Sequence, residues 1–232
     1  MSVGFLSFLT KSWFVIPWYS IGILAALWSI YDMITTNTQV NPPLKVGWPV
    51  IIIFFSVIGL IFYLWTCRPA NIEKYHGKKE KEIHHQEVSA TWKKVTGSVI
   101  HCVGGDGLGI MTAMVYSRLH NFSFWHEFWL EYATGYAFGW FIFQLWAFKH
   151  MGESTGMALL KGFRAEFFSM FTVMVGMGLI MKFVTPAVTG TPPNPDSFAF
   201  WGFGSLGLLV GAIFTYPMNW WMVKIHWKHG MS

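Results

Sequence analysis

Three groups of residues in this 232-residue chain have types and spacings that can do chemistry. The first is His101-Cys102-Val103-Gly104-Gly105-Asp106. Cys102 and Asp106 are four apart and share a helix face, with His101 about 100° round the helix. An imidazole, a thiol and a carboxylate on one turn make a ligand set for a transition metal, the thiolate favouring Cu(I), zinc or iron–sulfur. The second is a methionine stripe, Met170, Met174, Met177 and Met181, with Glu166 one turn before it. Spacings of four, three and four keep one helix face, and thioethers suit Cu(I). The third is His126, Glu127 and Glu131, in which the two glutamates share a face and could bind a cation or pass protons. Each group also has an ordinary reading. Cysteine and methionine are common core fillers, Asp106 can hydrogen-bond at a glycine break, and Glu131 can be held in an ion pair by Arg118 or His120.

The elements that must position these groups are membrane helices. The chain is 53% hydrophobic and 12% charged, where a soluble domain carries roughly 25% charge. Six apolar runs approach the ~20 residues needed to cross a bilayer: Trp13–Thr35, Trp48–Thr66, Ser98–Ser117, Phe124–Phe148, Glu166–Thr185 and Phe198–Val223. Unpaired backbone is not tolerated in hydrocarbon, and the runs are continuous rather than the ~10-residue alternating segments of a barrel. The expected fold is therefore an all-α integral membrane helix bundle with six transmembrane helices. Its 14 Trp are expected in the aromatic belts at headgroup level. Residues 1–66 read as an N-terminal transmembrane hairpin, 67–97 as a charged cytoplasmic linker and 98–232 as a four-helix transmembrane domain. Glu80 to Lys94 reads as either a surface helix on the headgroups or a solvated loop.

The net charge of +5 concerns topology rather than nucleic acid, because Lys and Arg gather on the cytoplasmic side of short loops. With the N-terminus inside, thirteen basic residues fall inside, and only Lys45, Arg118 and Lys182 fall outside. Both termini are accordingly expected in the cytoplasm. The first span lacks a small-residue cleavage site and reads as a retained anchor. Cys67 and Cys102 then face a reducing compartment, where a structural disulfide is not expected.

Hydrolytic and nucleotide signatures are missing: there is no GxSxG elbow, HExxH or P-loop. Gly202-Phe203-Gly204-Ser205-Leu206-Gly207 matches GxGxxG but lies inside an apolar span, not after a strand. It reads as close helix packing, as do the small-residue pairs Gly105/Gly109 and Gly207/Gly211. A bis-histidine haem between His101 and His126 is disfavoured, since the topology places them at opposite membrane faces.

His101-Cys102-x-x-Gly105, Thr134-Gly135-Tyr136-Ala137, Ala165-Glu166-x-x-Ser169 with Gly176-Met177, and Pro217-x-Asn219-Trp220 with His229-Gly230-Met231 occur in this order. Over about residues 97–231 the chain resembles a prokaryotic integral-membrane family of unknown function, with the pattern HCxxGC, GYA, ADxxS…GM, PxNxW…HGM. It departs where Asp106 replaces a second cysteine and Met174 an acidic residue. The resemblance implies the cell (inner, cytoplasmic) membrane of a prokaryote and supplies no activity. The leading reading is a non-catalytic membrane protein that binds or moves a soft transition metal, copper first, through His101, Cys102, Asp106, Glu166, Met170, Met174, Met177 and Met181. The alternatives are an accessory subunit of a larger membrane metalloenzyme or redox complex, and a proton- or quinone-linked role for Glu127, Glu131 and the tyrosines. Expected partners are the lipid bilayer and other membrane subunits or further copies of the chain.

Overall fold

The helix richest in glycine lies at the centre. A computed structural model describes residues 3–70, 72, 82, 84, 86, 89–150, 152–228 and 230. A 3-10 segment (Val3–Thr10) leads into α1 (Ser12–Thr35) and α2 (Pro42–Thr66). The central helix α3 (Thr91–Leu119) follows, then α4 (Phe124–Ala137), which continues through a π-helical stretch (Phe138–Gln144) into α5 (Leu145–His150). α6 (Thr155–Leu179) likewise continues through a π-helical stretch (Ile180–Val184) into α7 (Thr185–Thr189), and α8 (Phe198–Lys224) closes the bundle. The described residues contain no strand. α3 packs against α2, α4 and α8, and 83% of its most apolar window is buried.

Among the described residues five helices are long and apolar enough to cross a membrane: α1, α2, α3, α6 with its extension to Thr189, and α8. The expectation of six is corrected at Phe124–Phe148. That segment is helical throughout, but two glutamates, His126, Gln144 and its many Trp and Tyr lower its mean hydropathy. The spacing also missed the start of α3, which begins at Thr91 rather than Ser98. Of the proposed surface helix, Thr91–Lys94 belong to α3, and most of the remainder falls outside the described residues.

The second correction concerns α2, which is not a straight rod. Ser56 has φ 50° and ψ −127°, a conformation that favours glycine, and the chain doubles back there. A methyl group on Gly59 would lie 2.9 Å from the Ile52 Cα, whereas seven residues of helix span about 10 Å. The Ser56 hydroxyl donates to the Trp18 carbonyl (2.7 Å), and the Trp18 indole donates to the Phe54 carbonyl (2.9 Å). The returning half brings Tyr63 and Arg68 back to the end of α1. There Tyr63 donates to Asp32 Oδ2 (2.6 Å), Arg68 pairs with Asp32 Oδ1 (3.0 Å), and buried Asn37 donates to Tyr63 Oη (3.3 Å) and the Cys67 carbonyl (3.1 Å). α2 therefore enters and leaves at one end of the bundle.

Leu9 packs on Gly202 at the start of α8, whereas Lys228 follows the end of α8. The 3-10 segment at Leu9 and the turn at Lys228 therefore lie at opposite ends of α8. The end that holds the close of α2 and the start of α3, where Trp65 meets Trp92 (ring centroids 4.9 Å), is called the linker end below.

α3 and α4 meet through glycine. A methyl on Gly109 would lie 2.6 Å from the Gly135 Cα, so the two backbones touch, as small-residue pairs in membrane helices allow. Gly176 and Gly211 bring α6 and α8 together in the same way, with a methyl on Gly176 2.7 Å from the Gly211 Cα. Gly207 backs onto Met177. The GxGxxG sequence is thus packing surface.

Candidate functional site: a buried polar cluster and an outer cavity

Close approach of α3 and α4 leaves a slot at Gly139, and two carboxyl groups fill it. A side chain at Gly139 would run into Glu166 Oε1 of α6 and Asp106 Oδ1 of α3. Both acids are fully buried. As carboxylates they accept hydrogen bonds only. Neither Asp106 oxygen nor Glu166 Oε1 has a hydrogen-bond donor among the described residues. Two such oxygens facing each other in a dry interior can coexist by sharing a proton or by holding a cation.

The rest of the cluster is a chain of donors toward the linker end. The Gln144 amide, at the end of the π-helical stretch, donates to Glu166 Oε2 (3.1 Å) and to Cys102 Sγ (3.2 Å). The Cys102 thiol is 3.9 Å from Glu166 Oε2. Lys228 reaches in from the tail beyond α8 and is 2% exposed. Its ammonium donates to Cys102 Sγ and to Asn219 Oδ1 (2.6 Å). Asn219 accepts from Ser98 (3.2 Å) and donates to Ser169 Oγ (3.3 Å) and the Thr215 carbonyl (3.0 Å). Four helices and the tail thereby converge on one buried polar core. His101 is set apart from it. Its ring is edge-on to Phe143 (5.3 Å), and neither ring nitrogen has a hydrogen-bond partner among the described residues.

Nearer the N-terminal end lies a cavity of about 520 Å³ between α3, α4 and α6. Met114, Met174, Met177 and Met181 line one part of its wall, and Glu127, Glu131 and Arg118 line another. Arg118 pairs with Glu127 (2.6 Å), not with Glu131, the residue for which Arg118 or His120 was the expected partner. The His120 ring instead contacts the Tyr116 carbonyl (2.9 Å). His126 is exposed, with Nδ1 on the Ser123 hydroxyl (2.7 Å), and it does not line the cavity. Met170 sits between the two sites: its methyl is the atom nearest to a side chain built on Gly135.

The structure regroups the residues singled out from the sequence. Cys102, Asp106 and Glu166 come together. Met174, Met177 and Met181 join Glu127 and Glu131 in the cavity. His101 and His126 stand outside both sites. Spacing missed Gln144, Asn219, Ser169 and Lys228. An amide inside an apolar run was the available signal for Gln144 and Asn219, whereas Lys228 read as a flanking charge. Among the described residues no three His, Cys, Asp or Glu side chains are grouped to hold a metal ion. Cys67 and Cys102 are both free thiols.

Residues 91–228 match a family described as "Domain of unknown function (DUF4396)". The match spans more than half of the chain. The chain belongs to the DUF4396 family. The family region begins at α3 and ends at Lys228, so it encloses every residue of the buried cluster and the cavity's polar groups, and it leaves α1 and α2 outside. Searches of curated proteins and of solved structures returned no match.

Proposed function

We propose that this DUF4396 protein is a membrane-embedded, proton-linked cation binder that passes its cation along α3, α4 and α6. One observation carries the reading: Asp106 and Glu166, both fully buried, meet at the Gly139 slot with no donor among the described residues on their facing oxygens. Ionisable residues at such depth are costly and usually serve an ion or proton path. With Lys228 charged, one proton on the acid pair makes the cluster neutral, and a monovalent cation in place of that proton does the same. Exchange of the two is then electrically silent inside a low-dielectric core. Cys102 beside the pair and the thioethers of Met170, Met174 and Met177 suit a soft cation, which makes Cu(I) the first probe.

The positive-inside rule places the linker end in the cytoplasm. Because α2 returns to the end from which it starts, Lys45 joins that side and Lys11 leaves it, and the balance stays at thirteen against three. In this topology α4 and its extension cross the membrane as a fifth pass, shielded by neighbours despite its polar residues. The N-terminal segment is then outside and the C-terminal tail inside. The membrane proposed is the cytoplasmic membrane of a prokaryote, in line with the resemblance noted above.

The test combines loading and flux. Purified protein exposed to Cu(I) under reducing conditions is analysed for bound copper, and proteoliposomes with an internal pH dye report coupled proton movement. Asp106→Asn and Glu166→Gln should each abolish both signals. Copper retention and proton flux that match empty liposomes, or variants that behave as wild type, would overturn the proposal.

A further inference from the structure

The outer cavity has features that an inorganic cation does not require. It is of ligand size, since small-molecule sites typically enclose about 300–1,000 Å³, and its volume is about 520 Å³. Its wall combines methionine thioethers with the rings of Phe124, Phe128 and Phe183, an adaptable and polarizable lining. Its wall carries two carboxylates, Glu127 and Glu131, and two cations, Arg118 and Lys182. Arg118 engages Glu127, whereas Glu131, 9% exposed and lining the cavity, has no ion-pair partner among the described residues. The rim already holds one cation against an aromatic face: Lys182 Nζ is 4.1 Å from the Phe124 ring centroid. Each cation of the wall is thus engaged, Arg118 by Glu127 and Lys182 by the Phe124 ring, and Glu131 is the carboxylate left to meet a guest of positive charge.

We infer that this cavity binds a lipophilic organic cation, with Glu131 as counter-ion and the Met–Phe wall holding its apolar body. The charge would sit near Glu131, where an aromatic face and a carboxylate act together. The site shares Met174 and Met177 with the route proposed for the inorganic cation but not the Asp106–Glu166 pair, so variants of Glu131 and of Asp106 tell the two readings apart.

Tetraphenylphosphonium and tetraphenylborate, which share a shape and differ in charge sign, make the test. Binding of each to purified protein is measured by equilibrium dialysis against matched empty detergent. Saturable binding of the phosphonium and none of the borate is expected. Glu131→Gln should weaken phosphonium binding about tenfold, equivalent to ~1.4 kcal/mol, whereas Asp106→Asn should leave it unchanged. Met174→Phe, which fills the cavity without touching charge, should also reduce binding, and a thermal melt of each variant reports folding. Equal uptake of both ions marks a merely apolar pocket and overturns the inference. So does phosphonium binding that survives both Glu131→Gln and Met174→Phe.

Discussion

Replacement of Gly139 by alanine tests the centre of the buried cluster. The added methyl would collide with Glu166 Oε1 and Asp106 Oδ1, and it would lie 2.6 Å from Glu166 Cδ. Both acids must then move, and the contact between them is lost. Overpacking of this kind costs about 1–3 kcal/mol, partly offset by up to ~1 kcal/mol of improved helix propensity. A net loss near 1–2 kcal/mol lowers the melting temperature by roughly 2–8 °C for a chain of this size. The assay is thermal unfolding in mild detergent at one fixed scan rate, read by tryptophan fluorescence, because such unfolding is often irreversible. Gly156→Ala is the control, since nothing lies within 4 Å of a methyl there, and it should be neutral or stabilising. Glu166→Ala supplies the second background. It vacates the slot, Asp106 can rotate into the space, and Gly139→Ala should then cost little. The expected coupling is about 1–3 kcal/mol, within the range for residues in contact. If Gly139→Ala lowers the melt equally with and without the Glu166 carboxyl, the two acids do not meet at this glycine, and the reasoning fails.

Other expectations follow from the tail, the turn and the topology. Lys228→Met removes the ammonium that donates to the Cys102 sulfur and favours its nucleophilic thiolate form, so alkylation of Cys102 by a small maleimide should slow about tenfold, the equivalent of one lost hydrogen bond of ~1.4 kcal/mol; unchanged rates would place Lys228 elsewhere. At the Ser56 reversal, Ser56→Gly should be close to neutral, because relief of the positive φ offsets loss of a hydrogen bond of about 1 kcal/mol. Ser56→Val should lower the melt clearly, as a β-branched residue resists that conformation, and equal effects of the two would argue against the turn. Single cysteines replacing Gln39 and Ala70 should label from one side of the membrane and a cysteine replacing Phe5 from the other. Labelling of Gln39 and Ala70 from opposite sides would restore a straight second span.

The membrane class was legible because apolar length is a one-dimensional property, and composition alone reports it. The Met stripe was legible for a related reason, since a period near four fixes one helix face before any partner is known. Topology was not so visible. The run Trp48–Thr66 has the length of a span, yet one residue, Ser56, folds it back, and a serine carries none of the turn signal of glycine or proline. The buried cluster was half legible. Cys102 and Asp106 declared themselves by spacing, but their company depends on which faces of α4, α6 and α8 turn inward, and only three-dimensional packing decides that. Lys228 shows the limit most plainly. A lysine after the last apolar run is read as a headgroup anchor, and its burial needs the chain to turn back beyond α8, where His226 adopts φ 59°.

The spacing of the two acidic sites bears on how a cation or proton would travel. Glu131 precedes Gly139 by eight residues, about 12 Å along a helix, too far for direct transfer between carboxyl groups. The gap is filled rather than open. Around Gly135, midway, the nearest atoms to an added side chain are the Met170 methyl and Ile110 Cγ1. Passage therefore needs Met170 to change rotamer or α4 to shift against α3. Methionine is suited to the first, being unbranched and flexible. The π-helical stretch from Phe138 to Gln144 suits the second, because its hydrogen-bond register already departs from the α pattern, and such stretches are frequent at functional sites. Gly139 and Gln144, the two α4-side residues of the inner cluster, both belong to that stretch. A register shift there would move the slot and the Cys102–Glu166 donor together. The feature that keeps α4 from reading as a simple span, its mixture of polar groups and irregular helix, is thus the same feature that would couple the outer cavity to the buried acid pair.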